Sequence, residues 1–220
     1  MRAEEFLSEA YSDPSITNIL KKKGYKKLGD GADQTAYLAP DGMILKIFGT
    51  DSNSKTGSIQ LTNAQKTFKA FADYCKQHPN NPFLPNFTDW NIFHYKDKPY
   101  LQIKMERLFP FTKGASGIND ILESLAEKAE ITNSPKEKER FINTYIQGDS
   151  WAHHEYMEGA FKKLIGLIGQ DGFDLLWNTI YDLGKVADKI GLGNLDLHGG
   201  NFMLGEDGQI VISDPFYSGD

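Results

Sequence analysis

A change of period divides this chain and limits what it can fold into. From Tyr25 to Glu106, short apolar runs alternate with turn residues, as in Thr35 to Leu38, Pro40-Asp41-Gly42, and Met43 to Phe48, which read strand, turn, strand. Strands are expected near 25–29, 34–39, 43–48, 90–95 and 99–106. A helix near 61–77 is stopped by Asn80-Asn81-Pro82 and Pro85, and an N-terminal helix opens at Asp13-Pro14 and closes before Gly24. Leu108-Phe109-Pro110-Phe111 marks the change of character, and beyond residue 117 the apolar spacing is helical. Helices are expected near 118–130, 136–147 (opened by Ser134-Pro135-Lys136-Glu137 as a capping box), 151–169 and 172–190. The expected class is α+β, with a small antiparallel sheet lobe over 1–108 joined to a mostly helical lobe over 109–220.

Composition sets outer limits. A chain of 220 residues with 40% hydrophobic content can bury a core, and a formal charge of −6 argues against a nucleic-acid partner. Lys21-Lys22-Lys23 with Lys26-Lys27 is the basic cluster, at the end of the first helix, where the helix dipole favours positive charge. It reads as a solvated helix end in preference to an RNA or membrane patch. The single cysteine, Cys75, excludes an internal disulfide, and Met1-Arg2-Ala3-Glu4-Glu5 does not read as a signal peptide. The most apolar helical stretch, Phe161 to Ile168, is interrupted by Lys162-Lys163, so no membrane span and a cytoplasmic location are expected.

The chemistry is concentrated near the end. Asp196-Leu197-His198-Gly199-Gly200-Asn201 is followed by two short apolar strands around Gly205-Glu206-Asp207-Gly208, and then by Asp214-Pro215-Phe216. Such a hairpin would fold Asp214 back beside Asn201. Phosphoryl transfer asks for one Asp to orient the attacking hydroxyl, and for an Asn and a second Asp to hold magnesium. Asp196, Asn201 and Asp214 supply that set in order; alone, the segment reads equally as ordinary turns rich in Asp, Asn and Gly.

It is accompanied by Gly29-Asp30-Gly31-Ala32-Asp33-Gln34-Thr35-Ala36-Tyr37 near the N-terminus and by Lys46 in Ile44-Leu45-Lys46-Ile47-Phe48. Glycines let backbone approach phosphates, and a lysine one strand later supplies a point charge. A dinucleotide fingerprint would need a helix directly after the glycines, whereas this chain continues as a strand. His153-His154 is not a metal pair, since adjacent helical residues point apart and two ligands make no structural zinc site. No serine nucleophile elbow is present.

Glycine loop, strand lysine, Asp/Asn and Asp, in that order, resemble the protein-kinase-like fold, and within it the small serine/threonine kinases of lytic tailed bacteriophages. The resemblance rests on Gly24 to Gly31 running into Ala36-Tyr37, the strand around Lys46, Leu195 to Asn201, and Val211-Ile212-Ser213-Asp214-Pro215. Asp196-Leu197-His198 with Asn201 is also similar to aminoglycoside and choline phosphotransferases. The resemblance implies an ATP- and Mg2+-dependent kinase whose acceptor is a Ser or Thr hydroxyl of a protein, in the host cytoplasm if the chain is viral. It implies Asp196 and His198 as catalytic residues, and Asn201 and Asp214 as magnesium ligands. It further implies Gly29, Gly31, Ala36, Lys46, Met105 and Leu108 as the nucleotide-binding set, with Met105-Glu106-Arg107-Leu108 as the connection whose main chain meets adenine.

Departures from that pattern carry expectations too. Gln34 stands at the third glycine position, and Asn194-Leu195 replaces His-Arg, removing the arginine that reads an activation-loop phosphate. Pro215-Phe216 replaces Phe-Gly, and six residues follow Asp214, so no long activation segment is expected. From Gln60 to Gln77 there is no Glu to pair with Lys46; Gln65 and Asp73 are the substitutes on or beside the stripe Phe68, Phe71, Ala72, Cys75. Two rival readings follow: a small-molecule phosphotransferase, and a catalytically inactive pseudokinase acting as a binding module. Transfer of AMP in place of phosphate is a further variant.

Overall fold

The computed structural model describes residues 14–30, 34–48, 62–95, 98–111, 116–147, 154–192 and 195–216. Their contacts divide into two units, and the chain passes from the first to the second at Arg107 and Leu108. Asn80–Leu84 also belongs to the second unit.

The first unit begins with helix α1 (Pro14–Lys22), whose last turn carries Lys21 and Lys22. It ends because Gly24 adopts φ 84°, and the Tyr25 amide reaches back to the Leu20 carbonyl at 2.9 Å. Strands β1 (Lys26–Asp30), β2 (Gln34–Leu38), β3 (Ile44–Phe48), β4 (Phe87–Tyr95) and β5 (Lys98–Met105) form an antiparallel sheet in the order β1-β2-β3-β5-β4. Pro40-Asp41-Gly42 makes the β2–β3 turn: Ala39 donates to Met43 O at 2.8 Å, and Gly42 takes φ 85°.

Alternation gives the sheet two apolar faces. Tyr37, Leu45, Ile47 and Tyr100 pack with Leu20 of α1 on one. On the other, Ala36 lies opposite Lys46, Lys46 opposite Ile103, and Ile44 opposite Met105. That second face is covered by helix α2 (Asn63–Gln77), which brings Phe68 and Phe71 against Phe48 and Phe87. Thr62 caps α2, its hydroxyl accepting from the Gln65 amide while Gln65 Oε1 accepts from the Thr62 amide.

The second unit contains helices α3 (Ser116–Ile131), α4 (Pro135–Gln147) and α5 (His154–Lys189). Residue 169 breaks α5: Gly169 has φ 70° and ψ 174°, so the two helices read separately from the sequence meet there. Phe141, Phe161, Phe173 and Trp177 form its aromatic core, and Trp177 Nε1 donates to the Thr132 carbonyl at 2.8 Å. A three-stranded sheet, β6-β7-β8, joins β6 (Phe109–Pro110), β7 (Phe202–Leu204) and β8 (Ile210–Ile212). Asn80–Leu84 is tied in by Asn81 Nδ2 donating to Thr179 Oγ1 at 2.7 Å, and by the Ile212 amide donating to Phe83 O at 2.9 Å. Among the described residues, no helix is long and apolar enough to cross a membrane. The architecture is α+β, an antiparallel-sheet unit and a mostly helical unit.

Candidate active site

The second unit gathers Asp196, His198, Asn201 and Asp214 through main-chain hydrogen bonds. Leu195 forms an antiparallel bridge with Phe216, and the Asp196 amide donates to the Pro215 carbonyl at 2.8 Å. Leu197 is buried, pinning the loop between the half-buried Asp196 and the exposed His198. His198 has extended backbone, and its Nδ1 accepts from the Gly200 amide at 3.0 Å, which in the neutral ring leaves the proton on Nε2. A single 3-10 turn, Gly199–Asn201, then feeds β7. The hairpin has the register Phe202↔Ile212, Met203↔Val211, Leu204↔Ile210, closed by a turn in which Gly208 has φ 79°.

That register places Ser213 against Asn201: the Ser213 amide and hydroxyl both donate to the Asn201 carbonyl, at 2.9 and 3.2 Å. Asp214 follows directly. Asn201 Nδ2 in turn donates to the Asp196 carbonyl, which fixes the orientation of the amide and leaves Oδ1 as its accepting atom. Asn201 and Asp214 thus offer oxygen donors suited to a hard cation such as magnesium. No group of three or more His, Cys, Asp or Glu among the described residues forms a metal site on its own. An ion here would complete its shell with phosphate oxygens and water, as magnesium commonly does.

In the first unit, Lys46 is half-buried on the third strand, its ammonium 4.3 Å from the centroid of the Phe68 ring. Ala36 and Met105 share its face, Met105 being buried. Gly29 is exposed on β1 opposite Ala36, beside a register irregularity, and a Cβ there would touch nothing within 4 Å. Asp30, the last residue of β1, accepts from Thr35 Oγ1 at 2.8 Å, and its pairing with Lys27 holds the carboxyl below the ordinary range. Gly31 lies outside the described residues, as do Asn194 and His153, and Leu108 falls half-buried in the second unit.

The helix that lacks a Glu, α2, resolves into particular contacts. Gln65 is fully buried, works in the Thr62 cap, and donates through Nε2 to Phe48 O at 3.2 Å. Asp73 binds Lys69 at 2.6 Å and Trp90 Nε1 at 3.0 Å. Sequence reasoning misses two residues that touch the Asp196 loop, Glu123 and Glu130 of α3, which accept from the Gly199 and Leu195 amides. Their seven-residue spacing on one helix face is the available signal, and it is indistinguishable from a solvated stripe.

No protein-family model matches the chain, and no curated protein matches it in sequence. Among solved structures it is similar to a MAP kinase, LmaMPK10 from Leishmania major, at 14% identity over 91% of this chain and 48% of that one, with a TM-score of 0.33. It is also similar to APH(2")-IIa in a ternary complex with streptomycin and ATP, at 11% identity over 96% of this chain and 74% of that one, with a TM-score of 0.30. The chain thus spans about half the length of the MAP kinase. Superpositions this loose leave the assignment to the chain's own residues.

Proposed function

We propose that this protein is an ATP- and magnesium-dependent phosphotransferase with an alcohol acceptor, specifically a Ser or Thr hydroxyl of a protein. One observation carries the reading: Asp196 and Asn201 are joined by the Asn201 amide, and the hairpin brings Ser213-Asp214 back onto Asn201. The finer placement among small phage kinases, acting on host proteins in the cytoplasm, is supported by the sequence resemblance.

In this reading Mg-ATP supplies the γ-phosphoryl group, with the metal neutralising charge on the phosphates. Asn201 Oδ1 and the Asp214 carboxylate would hold the ion. Asp196 would orient the acceptor hydroxyl and take its proton, its backbone being fixed at both the amide and the carbonyl. His198, with Nδ1 engaged by Gly200, has an Nε2–H to offer charge on the transferred group. Lys46 would grip phosphates as a third-strand lysine does in kinases. Gly29 would lie over them, with Ala36, Met105 and Leu108 against the base.

The test is intact-mass analysis of lysate proteins and of an aminoglycoside and choline after incubation with labelled ATP and magnesium. Phosphate adducts on protein, abolished by Asp214→Asn, are expected. Asp196→Ala is expected to slow turnover about a thousandfold or more with nucleotide affinity nearly intact. A phosphorylated small molecule moves the acceptor class, an adenylyl adduct changes the reaction, and no adduct at all leaves a pseudokinase. That last reading draws support from the sequence, which has no Glu between Gln60 and Gln77.

A further inference from the structure

The segment Leu195–Gly199 is suspended at both ends from one helix. At its start, the Leu195 amide donates to Glu130 Oε1 at 2.6 Å, across 65 positions of sequence. At its end, the Gly199 amide donates to Glu123 Oε1, across 76 positions. Glu123 and Glu130 lie seven residues apart on α3, which brings both to one face of the helix. Between the two suspended amides lies Asp196, whose own amide is taken by Pro215 on the hairpin side.

Two glycines permit the approach. A Cβ on Gly199 would lie 2.9 Å from Glu123 Oε1 and 3.1 Å from Asn119 Cβ, so a side chain there would force Glu123 or Asn119 to shift. A Cβ on Gly184 of α5 would lie 3.2 Å from the Glu130 carbonyl oxygen, so the helix carrying the anchor is itself closely backed. Glu130 is partly buried, and burial raises its carboxyl above the ordinary value against the opposing effect of the Leu195 N–H. A carboxylate kept in such a place is costly unless its hydrogen bond is made.

We propose that Glu123 and Glu130 are positioning residues that hold the Asp196 loop in its reactive geometry by binding its backbone at Gly199 and Leu195. The step from loop geometry to turnover rests on the phosphotransferase reading above. The contact itself does not.

The experiment therefore reads both. Glu123→Ala, Glu130→Ala, Glu123→Gln, Glu130→Gln and Gly199→Ala are compared with the wild-type chain by amide hydrogen exchange, with the β7 and β8 amides as internal reference. Each alanine variant is expected to speed exchange at its own partner amide by about tenfold or more, since a charge-assisted bond is lost. The glutamine variants, which keep an accepting oxygen, are expected to retain most of the protection. Turnover should fall about tenfold or more in the alanine variants, with the KM for ATP changed by less than about twofold. Unchanged exchange at Leu195 and Gly199 in the alanine variants, with the hairpin still protected, overturns the proposal. So does turnover at the wild-type level once exchange is raised. If the wild type transfers no phosphate, the phosphotransferase reading fails, and the exchange result still decides whether the two carboxylates hold the loop.

Discussion

Lys46 and Asp196 sit in surroundings built on different principles. Lys46 projects from a strand onto a face packed with rings, among them Phe48, Phe68, Phe71 and Phe87, with Phe68 directly beside its ammonium. Asp196 sits in a loop whose path is written in main-chain hydrogen bonds to Pro215, Asn201, Glu123 and Glu130. Apolar packing is non-directional and scales with area, so it seats a helix on a sheet firmly while saying little about angles. Hydrogen bonds are directional, so the loop is specified in orientation although it buries little. The sheet unit provides a stable platform for a charge, and the loop provides an aimed one.

Removing a ring should break the first half of that contrast most visibly. Phe68→Ala is expected to destabilise the protein by about 3–5 kcal/mol in urea denaturation, because Phe68 is 2% exposed and touches three other rings. A loss below about 1 kcal/mol would mean that the aromatic face does not seat α2.

The hairpin offers a sharper and smaller probe. Gly208 has φ 79°, and a methyl group added there would meet nothing within 4 Å, so Gly208→Ala tests backbone conformation with no steric clash. The expected cost is about 1–2 kcal/mol from the left-handed backbone. A neutral result would show that the turn is free to rearrange and does not fix the Asn201–Ser213 register.

Glu130 gives the smallest effect, and one with a definite sign. Burial chiefly raises its carboxyl above 4.5, the Leu195 amide opposes this, and the charge of Asp188 adds to it. A raised carboxyl stabilises the fold below its unfolded value, and that contribution is lost as pH rises through the folded value. Glu130→Gln cannot ionise, so its stability relative to wild type should improve between about pH 4 and about pH 8. Urea midpoints at the two ends would show it; a constant difference, or one of opposite sign, would mean that the Leu195 bond outweighs burial.

Much of this was legible in local pattern. The β2–β3 turn was readable from Pro40-Asp41-Gly42, the β7–β8 hairpin from Asp207-Gly208, and α1 from Asp13-Pro14 and Gly24, because each depends on residues a few positions apart. Other features had no such signal. Strand β6 is two residues long, too short for any period, and exists because β7 offers Leu204 and Met203 as partners. Asn81 reads as a helix stop, yet its side chain belongs to Thr179, 98 positions away.

The sequence by itself determined where the longer strands and helices run, where their turns fall, and which polar residues lie at the ends of the Asn201–Asp214 hairpin, since spacing and turn chemistry act locally. Tertiary structure alone decided that Phe68 neighbours Lys46, that Gln65 donates to the Phe48 carbonyl, and that Glu123 and Glu130 hold the Asp196 loop. Those are contacts that folding makes, and a carboxylate on a helix looks the same in sequence whether it faces water or a backbone amide from the far end of the chain.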